Sequence, residues 1–65
     1  MDWVRFGKEM KKARIKKKIQ QKDIAKFLDV TSSLISQIEN GKKRTNVENV
    51  IKINNILELN FFDQD

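Results

Sequence analysis

Between Leu28 and Ser32 the chain has three residues, Asp29-Val30-Thr31, in which to turn from one helical pattern into the next. Two short helices joined this tightly are expected to cross steeply rather than lie antiparallel. The residues suit the turn. Asp29 tolerates the left-handed backbone region better than most non-glycine residues. The Thr31 hydroxyl can cap the helix that follows, and Val30 and Ile35 have the offset of a hydrophobic staple across its first turn.

Around this joint, apolar residues fall at helical spacing almost everywhere, and no stretch alternates with period two for long. The spacing predicts a first helix from about Asp2 to Lys17, with Trp3, Phe6, Met10 and Ala13 along one stripe. A second, roughly Gln21 to Leu28, is expected to bury Ile24, Phe27 and Leu28, with Ala25 leaving room for a close neighbour. A third begins after Thr31 and ends near Asn40, where Gly41 has the position of a glycine that closes a helix in the left-handed conformation. A fourth starts after Asn46, a good N-cap residue, and is expected to turn Val47, Val50, Ile51, Ile53 and Leu57 inward. A short fifth turn after Asn60 would carry Phe61 and Phe62. The expectation is an all-α, compact, four- to five-helix fold, a single domain over residues 1–65, with a helix-turn-helix formed by helices 2 and 3. A chain this short buries only about 60% of its unfolded surface, so its core must be thin.

Charge is unevenly placed. From Arg5 to Lys26 ten Lys/Arg stand against Glu9 and Asp23, a balance of +8, whereas Asn46 to Asp65 has Lys52 against four carboxylates, a balance of −3. One basic half presents a directional field to a polyanion, although a solvated lysine-rich surface gives the same composition. Cysteine and histidine are absent, which removes disulfides, thiolate metal sites, the commonest zinc ligand and the usual general base at neutral pH. There is no glycine-rich phosphate loop either. Catalysis, a metal and a cofactor are therefore not expected, and no small-molecule ligand is indicated. No apolar run approaches the ~20 residues that cross a bilayer, and the first residues lack the form of a secretion signal. No membrane partner and a cytoplasmic location are expected.

The third helix divides cleanly at about 100° per residue. Ile35, Ile38 and Thr31 gather on one side, with Glu39 at its edge. Ser33, Ser36, Gln37 and Asn40 gather on the other, and Ser32 opens the helix between them. In a lysine-rich chain this outward face holds neither a lysine nor a carboxylate. A helix that enters the DNA major groove needs short or amide side chains for base edges, with cations on surrounding elements for phosphates. The plainer alternative is an ordinary polar face, with serines present because they suit a first helical turn.

The stretch Gln20 to Thr45, QQKDIAKFLDVTSSLISQIENGKKRT, resembles the helix-turn-helix of the lambda-repressor-like, or XRE, family, which includes Cro and repressor proteins. The matching positions are Gln21, Ile24-Ala25, Val30-Thr31 and the run Ile35-Ser36-Gln37-Ile38-Glu39-Asn40-Gly41. Phe6-Gly7 and Arg14 resemble the family's first helix, and Asn46 to Leu59 its fourth. The resemblance implies that Ser32, Ser33, Ser36 and Gln37 contact bases. It implies phosphate contacts for Gln21, Thr31, Asn40, Lys42, Lys43 and Arg44, and an internal ion pair between Arg14 and Glu39. The chain departs from the pattern at several positions. Lys18 stands where a turn glycine is usual, implying a different turn or some strain, and Gln20 replaces a Ser/Thr cap. Thr45 replaces a frequent proline. Asn54 replaces a small apolar residue and is expected to find a hydrogen-bond partner. Leu34 stands where Ser or Thr is common, with a flanking core role or a thymine methyl as its contact.

The implied function is transcriptional regulation, most simply repression by a homodimer on a palindromic double-stranded operator, in a protein of bacterial, phage or mobile-element origin. The same fold also serves as a protein-interaction or antitoxin-type module, for which Leu59, Phe61 and Phe62 offer a contact surface. Single-stranded RNA binding lacks the aromatic platform it usually needs.

Overall fold

The computed structural model describes residues 1–59, and within them four helices and no strand: α1 (Trp3–Lys16), α2 (Gln21–Leu28), α3 (Ser32–Glu39) and α4 (Val47–Leu57). The fifth turn expected at Phe61 and Phe62 lies outside the described residues. α3 packs against α1 and α2, and α4 packs against the same two helices. Their inward side chains form one core of Phe6, Met10, Ile24, Ala25, Leu28, Ile35, Ile38, Val50, Ile53 and Leu57. Trp3 meets Phe6 edge to face at its rim.

Each helix has a definite start. The Asp2 carboxylate accepts from Arg5 N at 3.0 Å, the Thr31 hydroxyl from Leu34 N at 3.1 Å, and the Asn46 side-chain Oδ1 from Asn49 N at 2.8 Å. α2 uses a different device. Its third residue, Asp23, reaches back and accepts from Gln20 N at 3.1 Å, so the amide before the helix is satisfied without a Ser or Thr.

The ends are more uniform. Every helix is followed by a residue in the left-handed region: Lys18 (φ 60°), Asp29 (φ 58°), Gly41 (φ 72°) and Glu58 (φ 53°). After each of them the chain closes in the same way. Ile19 N donates to Arg14 O, Val30 N to Ala25 O, Lys42 N to Gln37 O, and Leu59 N to Asn54 O, all at 2.9 to 3.0 Å. This is the Schellman motif, and three of the four examples use a side chain where glycine costs least. Ile19, Val30 and Leu59, the residues after those three, pack against the core, and this burial offsets the strain. Lys18 therefore keeps the left-handed turn that a glycine would make and accepts the strain.

Gly7 sets how close α1 and α3 can come. It is buried, and a side chain there would overlap the carbonyl oxygen of Ile38 and crowd that of Glu39. α1 thus lies directly on the last backbone turn of α3.

Three inward assignments are corrected. Phe27 is 53% exposed, Val47 71% and Ile51 46%. Phe27 adjoins Leu28 and Ile51 adjoins Val50; in each pair the two side chains leave the helix some 100° apart, and only the one nearer the middle of the buried stripe is covered. Leu28 and Val50 take the inner positions. Val47 lies off the stripe of Val50, Ile53 and Leu57.

Candidate nucleic-acid interface

α3 presents two unlike sides. Ile35 and Ile38 are fully buried and Glu39 nearly so. On the far side Ser32, Ser33 and Asn40 are exposed, while Ser36 and Gln37 are partly exposed. Thr31 is exposed at the start of the helix, its hydroxyl already accepting from Leu34 N. Leu34 is partly buried and packs against the core. The accessible row therefore consists of hydroxyls and amides that can both donate and accept.

Beyond α3 the chain leaves through Gly41, with Gly41 N donating to Ile38 O at 3.0 Å. This closure places Lys42, Lys43 and Arg44, all exposed, immediately after this face. At the other end an open cleft of about 540 Å³ is lined by Lys11, Arg14, Gln20, Gln21, Lys22 and Ser32. It gathers Gln21 and Ser32 with two cations, Lys11 and Lys22, that the sequence reading did not single out. The signal was present: Lys11 is one helical turn before Arg14, and Lys22 follows Gln21 at the opening of α2.

Between these cationic ends lies a buried clamp. Arg14 Nε donates to Glu39 Oε2 at 2.7 Å and Arg14 Nη2 to Glu39 Oε1 at 3.1 Å, so the guanidinium meets the carboxylate with two bonds. Arg14 Nη1 donates to the Ile19 carbonyl at 2.8 Å, and Gln21 Nε2 to Glu39 Oε1 at 2.9 Å. The side chains of Arg14 and Glu39 are 11% and 1% exposed. The pair ties α1, the turn after it, the start of α2 and the end of α3 to one carboxylate. Gln21, assigned from sequence to a phosphate, spends one amide hydrogen on this clamp, and its second N–H is the one left for an anion.

Among the described residues no group of three or more His, Cys, Asp or Glu side chains converges as metal ligands would, and no helix is long and apolar enough to cross a membrane. What the surface does offer is a neutral hydrogen-bonding row with cations at both ends. A family model described as helix-turn-helix matches residues 10–63. No curated protein and no solved structure matches the chain.

Proposed function

The chain belongs to the lambda-repressor-like helix-turn-helix family of DNA-binding regulators, and from that premise we propose that it represses transcription by occupying a palindromic operator as a homodimer. Ser32, Ser33, Ser36 and Gln37 meet base edges in the major groove. Gln37 suits adenine, with which an amide pairs bidentately. Gln21, Thr31 and Asn40 contact phosphates at the margins, and Lys42, Lys43 and Arg44 grip the strand beyond the end of α3. Lys11 and Lys22 add to the grip at its start. The observation that carries this reading is the charge-free row on α3 bounded by cations at each end. The cations that meet phosphates supply affinity on any sequence, and the row between them supplies choice.

The test is selection of bound duplexes from a random DNA pool, followed by salt-titrated binding to the selected site. An enriched, two-fold symmetric sequence and a steep fall in affinity with salt are expected. Lys43→Ala should weaken binding to all sequences alike and reduce the salt slope by about one. No enriched sequence and no salt dependence would overturn the reading in favour of a protein-interaction module.

A further inference from the structure

We propose that the outer face of α4 is where two copies of this chain join about a twofold axis, with Val47 and Ile51 at the contact and Glu48 and Lys52 exchanging partners across it. This surface gives the homodimer its interface and rests on the operator reading for its purpose, although its test needs no DNA.

Val47 and Ile51 are large, apolar and exposed, one helical turn apart. At about 100° per residue they form a row with Asn55, and Glu48 and Lys52 run alongside. Glu48 and Lys52 form an ion pair within the helix, Nζ to Oε1 at 3.2 Å. A twofold axis across the helix reverses the second copy. Glu48 of each copy then faces Lys52 of the other, giving four alternating charges around an apolar centre. A parallel arrangement would set like against like. The face is self-complementary, as a closed dimer interface must be.

Charge disfavours Val4 and Ile15 as the contact. Val4 and Ile15 border a groove lined by Lys8, Lys11 and Lys12, so two such faces would oppose three cations to three. The whole chain carries +5, concentrated between Arg5 and Lys26. Within α4 one cation and one anion balance, and because the second copy is reversed, the exposed Lys42, Lys43 and Arg44 that precede each α4 lie at opposite ends of the contact. None of Ser33, Ser36 or Gln37 is covered. Two side chains per copy make a patch well below the ~1,200 Å² of a stable interface, so the free dimer is weak.

The experiment is sedimentation equilibrium of the full chain at low salt over a wide concentration range, with circular dichroism to confirm folding. The wild-type chain should associate to a dimer and no further. Glu48→Lys and Lys52→Glu should each weaken self-association by roughly tenfold or more. An equimolar mixture of the two, and the double variant carrying both changes, should restore it. Because the sequence has no cysteine, single cysteines give a second readout: Ile51→Cys should oxidise to a linked dimer, while Ile15→Cys and Phe27→Cys should not. Charge variants that associate like wild type, a mixture that fails to recover, or equal linking at all three positions would overturn the proposal. A chain that selects a DNA site but binds it only as independent monomers would also overturn it, leaving the operator reading intact. A chain that dimerises through α4 and selects no DNA would do the reverse.

Discussion

α3 and α4 begin alike and end alike. Each opens on a side-chain oxygen that accepts from the amide three residues on, and each closes through a left-handed residue and a Schellman turn. They differ in their faces. The inner side of α3 seats a carboxylate among isoleucines and depends on Arg14 to keep it there. The inner side of α4 is aliphatic, with Val50, Ile53 and Leu57. Outside, α3 shows hydroxyls and amides, and α4 shows two aliphatic side chains flanked by opposite charges. The interactions that make a helix are thus separable from those that give it a use, and the outward side chains carry the difference.

Four substitutions test that separation, from the largest expected effect to the smallest. Glu39→Ala leaves the Arg14 guanidinium nearly buried without its carboxylate and should cost about 3–5 kcal/mol. Chemical denaturation would detect this, and a loss under 1 kcal/mol would mean that α3 is held by its isoleucines, as α4 is by its aliphatics. Ile53→Ala should cost about 2–5 kcal/mol through lost burial and a cavity, measured in the same way. Gln37→Ala should leave stability unchanged while weakening the selected DNA by about 1–3 kcal/mol at one base position. Competition assays on single-base variants would read this, and equal loss on every sequence would remove Gln37 from the reading set. Last, Glu58→Gly should raise stability by about 0.5–1 kcal/mol, since glycine relieves the left-handed strain at some entropic cost. In a domain of this size that is a rise of about 2–8 °C in Tm. Glu58 forms only an exposed ion pair with Lys17, at 3.6 Å, so little is lost with its side chain.

Much of the fold was legible because it depends on local rules. The bounds of α2, the left-handed Asp29 and the Thr31 cap follow from residues within a few positions of each other. Apolar pairs were harder. Phe27-Leu28 and Val50-Ile51 each offer two side chains for one inward place, and only the packing of the other helices decides which takes it. The clamp was legible only by resemblance, since Arg14 and Glu39 are far apart in sequence, and the share of Gln21 in it was not legible at all. A glutamine beside a lysine carries no mark of which partner its amide will choose. The cleft that joins Lys11 and Lys22 to Ser32 is likewise a product of how three helices meet.

The absence of a side chain at Gly7 has a mechanical consequence. With α1 seated on the final turn of α3, the spacing between the backbone that carries the lysines of one and the backbone that carries the serines of the other is set by direct contact. Under the operator reading, the adaptation falls on the DNA. Sites whose helical twist and groove width already match that fixed spacing bind at little elastic cost, and stiffer or wider ones pay for deformation even where every contacted base is correct.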